Sequence, residues 1–324
     1  MSILVTGGAG FIGSHLVERL LAATEERVIC LDAFDAFLYP AGIKRRNVAH
    51  FASHPRVTVC EGDIRDRAFV TGVFRREDVR RVVHLAALAG VRPSLQDPRR
   101  YFDVNAAATL TLLELAREHR VERFVFGSSS SVYGESRRVP FAEDDPIEAP
   151  ISPYAASKRT AELFVLNYHA LYGIPVAVLR FFTVFGPRQR PEMAIADFVR
   201  RVDTNQEIPF FGNGASRRDY TFVTDIVDGI VAALFATFPA AVLNLGGSRT
   251  TSLSDLVALI GKVLGKTARL KRLPDQPGDV PVTWADISRA KTLLGYEPRV
   301  PVETGIREYV NWYHGNTEHG NTGK

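Results

Sequence analysis

Tyr154 and Lys158 stand four residues apart in PYAASKRTAELFVLNYHALYG. That stretch carries an apolar stripe of helical period, so the two side chains share one face with Cβ atoms about 5–6 Å apart. A tyrosine whose free pKa is about 10 acts as a base near neutrality only after a downward shift of roughly 3 units, about 4 kcal/mol. A lysine ammonium beside it and the positive ring of a nicotinamide would together supply that field. Among ten tyrosines this is the one with lysine at plus four, yet such a pair arises by chance often enough that spacing alone proves little. A serine hydroxyl, hydrogen-bonding a substrate oxygen where the proton leaves, is the third part of such a site. The run GSSSSVYG at 127–134 offers four hydroxyls and no carboxylate.

A nicotinamide needs a dinucleotide site, and TGGAGFIGSHL follows the first apolar run. Gly7, Gly10 and Gly13 are spaced three apart, and a helix is expected from Phe11 and Ile12 onward. Glycine suits a tight turn, the approach of backbone to a pyrophosphate, and close packing of helix on strand. The helix N-terminus then offers free N–H groups to phosphates. An ordinary tight loop has the same three glycines. Asp32, about twenty residues on at the end of RVICLD, favours the cofactor reading, because an acidic side chain there binds the adenosine ribose hydroxyls and repels a 2′-phosphate. NAD rather than NADP is therefore expected. Asp63 and Ile64 would flank the adenine, and Ala86 and Ala87 would let backbone approach the dinucleotide.

These residues need a scaffold. SILVT, RVICLD, RVTVC, RVVHLA, RFVFGSS and PVAVLR are short β-branched runs separated by amphipathic helical stretches, a pattern that predicts a Rossmann-like, doubly wound α/β fold with a parallel sheet. After Arg180 the pattern breaks into Gly- and Pro-rich loops, FGPRQRPEM and FFGNGASRRDY. A smaller C-terminal substrate-binding lobe is expected from 181–221 and 247–314, with 1–180 forming the cofactor domain and 222–246 returning to it. The apolar stretches 99–119 and 153–172 read as long helices with surplus hydrophobic face, which suits a homodimer. GNTEHGNTGK at 315–324 has no apolar face and reads as a flexible tail.

Composition narrows the classes. In 324 residues, hydrophobic residues make up 46% and charged ones 23%, near globular averages and unlike a disordered chain or a coiled rod. A net charge of +4, with basic residues scattered, does not indicate nucleic acid. Arg217 and Arg218, in glycine-bearing loop sequence, suit a small anion, or else a solvated surface pair. Cys30 and Cys60 end apolar runs and read as buried thiols rather than a disulfide or metal site. No apolar run approaches the roughly 20 residues of a membrane span, and the glycine loop starts too early for a signal peptide. The cytoplasm is the default expectation.

TGGAGFIG, LD at 31–32, GDI at 62–64, HLAA at 84–87, SSSSVYG, YAASK and RRDYTFVTDIVDG together resemble the extended short-chain dehydrogenase/reductase group, specifically its nucleotide-sugar epimerases, from Ile3 to about Tyr313. The resemblance implies an isomerase that keeps NAD bound and requires no metal. It makes Tyr154 the base, lets Lys158 tune it and hold a ribose, and gives Ser129 the reacting hydroxyl to orient. In the family's sugar 4,6-dehydratases an Asp-Glu pair precedes VYG, and in its UDP-glucuronate decarboxylases a Glu does. Here Ser130 and Ser131 stand in those places, which leaves no acid for elimination and implies plain 4-epimerisation through a transient 4-keto sugar.

RFFTVFGPRQRPEMA, AGVRPS and LPDQPGDVPVTWAD are similar to the UDP-glucuronate 4-epimerase branch more than to the UDP-glucose branch. Thr183 stands where many relatives carry asparagine, and Gln276 where UDP-glucose epimerases commonly carry arginine. In that reading Thr183 and Arg190 hold a hexuronate carboxylate, with Arg92, Ser130 and Ser131 beside the sugar. A buried hydroxyl capping backbone is the plainer alternative for Thr183. Arg218 and Asp279 match family positions for the diphosphate and the nucleotide ribose, and Phe211 would border the uracil. UDP-glucose/UDP-galactose 4-epimerase is the alternative within the same chemistry. A non-catalytic NAD-binding regulatory protein is the alternative outside it, and the intact Ser129, Tyr154 and Lys158 speak against it.

Overall fold

The computed structural model describes residues 1–136, 138–147, 149–274 and 280–318. Strands β1 (Ser2–Thr6), β2 (Arg27–Asp32), β3 (Val57–Glu61), β4 (Val79–His84), β5 (Arg123–Ser129) and β6 (Val176–Phe181) coincide with the six β-branched runs. Helices α1 (Phe11–Ala23), α2 (Ala41–Ala49) and α3 (Arg67–Glu77) connect the first four strands. Between β4 and β5 lie α4 (Val91–Gln96), α5 (Pro98–Phe102) and α6 (Ala108–Glu118), and between β5 and β6 lies α7 (Pro153–Tyr172). The chain continues through β7 (Thr183–Phe185), α8 (Ala194–Asp203), β8 (Glu207–Phe211), β9 (Arg217–Arg218), β10 (Tyr220–Phe222), α9 (Val223–Phe235) and β11 (Ala240–Leu245). It ends with β12 (Thr251–Ser252), α10 (Leu253–Leu264), β13 (Arg269–Leu273), α11 (Ser288–Leu294) and α12 (Val302–Glu318).

One seven-stranded sheet runs in the order β11-β6-β5-β4-β1-β2-β3, and every pairing in it is parallel. Strands β1, β5 and β6 are buried almost throughout, as expected when helices cover both faces of a sheet. The side-chain period of two then sorts alternate residues into separate cores. Ile3 and Val5 pack with Leu16 and Leu20 of α1 and Ile226 and Ile230 of α9. Leu4, between them, packs on the opposite side with Phe74 of α3, Leu112 of α6 and Val165 of α7. Cys30 and Cys60 are free, buried thiols in β2 and β3. Among the described residues no helix is long and apolar enough to cross a membrane.

The expected helix over 99–119 is present, uninterrupted from Pro98 to Glu118, but it is not regular. Asp97 caps α5 through its side chain, which accepts from Arg100 N at 3.0 Å, and Asp103–Ala107 then widen into a π-helical turn before α6. The wider turn presents Asn105, whose Oδ1 accepts from Leu88 N at 2.8 Å. Its Nδ2 donates to Leu88 O at 2.9 Å and to Ser157 Oγ at 3.0 Å. The π turn thereby ties the loop after β4 to α7. Helix α7 itself starts cleanly because Ser152 accepts from Ala155 N at 3.1 Å and Pro153 occupies the first turn.

Beyond β6 the short pairs β7–β10, β9–β12 and β8–β13 build the second lobe with α8, α10 and α12. Helix α12 extends past Gly315 to Glu318, into the segment expected to be a tail, and the remainder of that segment lies outside the described residues. Asp219, fully buried, organises this lobe. Its carboxylate accepts from Gly247 N at 2.6 Å, Ser248 N at 3.0 Å, Ala285 N at 3.0 Å and Thr221 Oγ1 at 3.2 Å. Asp219→Ala strands those buried donors at roughly 1–3 kcal/mol each. Thermal unfolding of this variant is therefore expected at least about 5 °C below the wild type; an unchanged midpoint would show that the loops hold without the carboxylate.

Candidate active site

The segments leaving the carboxyl ends of β1 to β6 enclose a cavity of about 400 Å³. Open parallel sheets bind ligands at this edge, where successive loops diverge. Gly7, Gly10, Phe11, Ile12 and Gly13 line it from β1, Asp32 from β2, and Asp63 and Ile64 from β3. Ala86 and Ala87 line it from β4, Ser129, Ser130 and Ser131 from β5, and Thr183 and Arg190 from the segment after β6. Tyr154 and Lys158 of α7 complete the wall.

At the β1–β2 end the walls form a backbone cradle. Gly7 has φ of +72°, and a Cβ there would stand 2.7 Å from Ala86 N. At Gly13 a Cβ would overlap the Gly7 carbonyl, so neither position tolerates a side chain. Helix α1 begins from Gly10 with no capping side chain, and the orphan N–H groups of its first turn belong to residues that line the cavity. These features fit a dinucleotide pyrophosphate. Asp32 is fixed beside them, with Oδ2 accepting from Ala9 N at 3.2 Å and Oδ1 from Phe34 N at 2.8 Å. Lys44 Nζ lies 3.6 Å from Asp32 Oδ1, a neighbour with no signature in the sequence. Asp63 turns its carboxylate to Arg65, at 2.6 Å.

At the β5–α7 end the hydroxyls and cations gather. Ser129 Oγ donates to Ser131 Oγ at 3.2 Å and accepts from Ser131 N at 3.2 Å, which caps the single 3-10 turn Ser130–Tyr133. Lys158 Nζ donates to Gly127 O at 2.7 Å and lies 4.9 Å from the Phe126 ring centre. Burial drags the Lys158 ammonium down to about 7, with the Glu162 carboxylate acting against that fall. Burial pushes the Tyr154 hydroxyl above its ordinary value, while a hydrogen bond with Ser129 and the Arg190 guanidinium pull it back. The cation acting on Tyr154 in this arrangement is Arg190, whose spacing in the sequence says nothing of it.

His84 sits behind this wall, held neutral by burial and by Lys158, with its pKa down to about 3. Its ring nitrogens bond Thr6 Oγ1 at 2.7 Å and Thr109 Oγ1 at 2.9 Å. Asn105 reaches the same region through Ser157, whose Oγ donates to Tyr154 O at 2.8 Å. Neither His84 nor Asn105 was expected to serve as a site residue.

Other expected substrate contacts stand apart from these walls. The Arg92 guanidinium of α4 faces the Phe211 ring of β8 at 6.0 Å, bridging the two lobes. Arg217 is committed to Thr250, donating to its Oγ1 at 2.8 Å and its carbonyl at 2.9 Å. Arg218 donates to Arg217 O at 3.0 Å. Asp279 and Gln276 lie outside the described residues.

The family model described as GDP-mannose 4,6 dehydratase matches residues 4–309. UDP-glucuronate 4-epimerase of Thermodesulfobacterium geofontis is 38% identical over 316 residues, which cover 97% of each chain. The crystal structure of UDP-glucuronic acid 4-epimerase from Bacillus cereus, in complex with UDP-glucuronic acid and NAD, is similar with a TM-score of 0.92 and 36% identity. That match covers 98% of this chain and 100% of the other. UDP-glucose 4-epimerase from Thermotoga maritima, with UDP-glucose, gives a TM-score of 0.89 and 33% identity over 98% of this chain and 100% of the other. Similarity sustained over nearly the whole of both chains, on a sheet whose loops form the cradle and the tyrosine–lysine wall described above, shows that the chain belongs to the GDP-mannose 4,6-dehydratase-like family of extended short-chain dehydrogenases/reductases.

Proposed function

We propose that this protein is an NAD-dependent UDP-sugar 4-epimerase that interconverts UDP-glucuronate and UDP-galacturonate. The observation that carries the reading is the distribution of charge around the cavity. Its described acidic walls are Asp32, Asp35 and Asp63, at the β2–β3 end. Around Ser129 and Tyr154 the charged groups of the wall are Lys158 and Arg190, among serine and threonine hydroxyls, and Arg190 is paired with Glu192 at 3.2 Å, the carboxylate that an anionic sugar would replace. A dehydratase or decarboxylase of this family needs a carboxylate where Ser130 and Ser131 stand. An anionic sugar is instead matched by cations and hydroxyls.

In this reading Gly7, Gly10, Phe11, Ile12 and Gly13 hold the pyrophosphate of NAD, Asp32 its adenosine ribose, and Asp63 and Ile64 its adenine. Ala86 and Ala87 allow its backbone approach, and Lys158 holds the second ribose. When bound, NAD supplies reversible hydride transfer at one sugar carbon. Tyr154 takes the proton of the sugar 4-hydroxyl and later returns it, while Ser129 fixes that oxygen. Arg190 and Ser129 favour the deprotonated phenol against the effect of burial. Arg218 engages the diphosphate, and Arg92 and Phe211 close over the nucleotide side.

A 4-keto hexuronate is a β-keto acid, prone to lose carbon dioxide when its carboxylate bond aligns with the carbonyl π system. Thr183 and Arg190, with Ser130 and Ser131, grip the carboxylate and fix the ring pose. A second copy of the chain is expected over α7 and α5. Leu163 and Leu171 lie eight residues apart along one side of α7, and with Phe102 of α5 they leave large apolar side chains exposed.

Three measurements test these assignments. Tyr154→Phe removes only the proton acceptor, so turnover should fall by about a thousandfold or more with sugar-nucleotide binding largely kept; near-wild-type turnover would remove Tyr154 from the mechanism. Thr183→Ala and Arg190→Ala should each weaken UDP-glucuronate turnover more than turnover of UDP-glucose and release some UDP-pentose, with products resolved by NMR. Because Arg190 also acts on Tyr154, the Thr183 variant decides: equal loss of both activities in Thr183→Ala, or a wild type that prefers UDP-glucose, would replace UDP-glucuronate by UDP-glucose as the substrate. Sedimentation at micromolar concentration should give a dimer, and a monomer would leave the α7 face without its proposed occupant.

A further inference from the structure

Ser128 belongs to the serine run but has no part in the chemistry above. Its Oγ donates at 2.6 Å to Glu162, a fully buried carboxylate one turn beyond Lys158 on α7. The same carboxylate accepts from Arg180 Nε and Nη2, both at 3.0 Å, and from Arg159 Nη1 at 2.9 Å. Arg180 Nη1 also donates to Tyr133 Oη at 3.0 Å, and that hydroxyl donates to Asn244 Oδ1 at 2.7 Å. One carboxylate therefore joins α7, the end of β5, β6, the turn after β5 and β11. Burying such a pair costs several kcal/mol of desolvation per ion, and apolar residues of similar volume would hold helix to sheet as well. The charge itself calls for a reason.

We propose that Glu162 is the positioning residue of this active site, keeping the Lys158 ammonium charged from below and, through Ser128, setting the end of β5 that presents Ser129 and the Gly127 carbonyl. The proposal rests on the epimerase reading. Lys158 has a neutral hydrogen-bond partner in Gly127 O and a ring face in Phe126. The groups around it are Tyr154, Arg159 and Glu162 on α7, His84 on β4 and Arg180 on β6, while Arg190 faces Tyr154 from the loop after β7; Arg159 and Arg180 both bond to the Glu162 carboxylate. His84 is held neutral by burial. Burial also works against the charge of Arg180, and its bonds to Glu162 more than restore it. Among these groups Glu162 is the anion that supports the ammonium, and it opposes the downward pull of burial on Lys158.

Glu162→Gln keeps the shape and removes the charge. If the ammonium is the working form, activity on UDP-glucuronate falls as pH rises through the Lys158 pKa. In the variant this alkaline limb should move at least about one pH unit lower, with KM changed less than about threefold. Titration of Lys158 by carbon and nitrogen NMR in the NAD-loaded protein should shift in the same direction. Breaking one half of a buried pair can unfold a chain, so Glu162→Gln is also combined with Arg180→Met; this leaves only the partly exposed Arg159 without its carboxylate and, because a cation goes with the anion, is expected to show a smaller shift in the same direction. Ser128→Ala, with the ion pair intact, should lower kcat and leave the alkaline limb in place. An unmoved limb and an unmoved Lys158 titration in either folded Glu162 variant overturn the proposal, and wild-type kcat in Ser128→Ala overturns its positioning arm. If the wild type leaves UDP-glucuronate unchanged, the epimerase reading fails, while the Lys158 titration still decides the role of Glu162.

Discussion

Parallel pairing is the constraint on which the rest of this structure depends. Because all seven strands of the sheet run the same way, the segments leaving β1 to β6 open on one edge. Residues as far apart in sequence as Gly7 and Arg190 therefore line one cavity. A parallel sheet also requires helices on both faces to close its connections. Those helices supply what the strands cannot: an uncapped first turn in α1, and a rigid face in α7 that presents Tyr154 and Lys158 together.

The second determinant is burial of charge. Withdrawal from water raises the cost of the phenolate at Tyr154 and of the ammonium at Lys158, both of which the proposed chemistry uses. The structure answers with opposite charges placed on either side. Arg190 faces the tyrosine from the segment after β7, and Glu162 faces the lysine from one helical turn below. His84 shows the uncompensated case, an imidazole kept neutral and used only to hold Thr6 and Thr109. Asp219 is a different case, a buried carboxylate held by neutral donors alone, three backbone N–H groups and the Thr221 hydroxyl, beside β9 and Arg218.

Much of this was legible beforehand where a local pattern had a single structural meaning. Runs of β-branched residues buried on both faces became the first six strands, and the three-residue spacing of Gly7, Gly10 and Gly13 became a cradle against Ala86. In the segment 99–119 the helix was legible but its π turn was not, because the apolar period continues across Asp103–Ala107. Periodicity carries no mark of one extra residue per turn, and it is the widened turn that aims Asn105 at Leu88 and Ser157. The serine run was legible as chemistry only in part: all four serines line the cavity, but Ser128 commits its hydroxyl proton to the Glu162 carboxylate.

By itself, the sequence determined the doubly wound sheet, the glycine cradle and the shared face of Tyr154 and Lys158, because each follows from backbone geometry over a few residues. Only the tertiary structure decided which cation meets the tyrosine, which anion supports the lysine, and which serine bonds to that anion. Those contacts join Ser128 to Glu162 and Glu162 to Arg180, residues on separate elements. Their meeting depends on how helix and strands pack rather than on spacing along the chain. A buried charge reveals its purpose only when the group that opposes its desolvation is in place beside it.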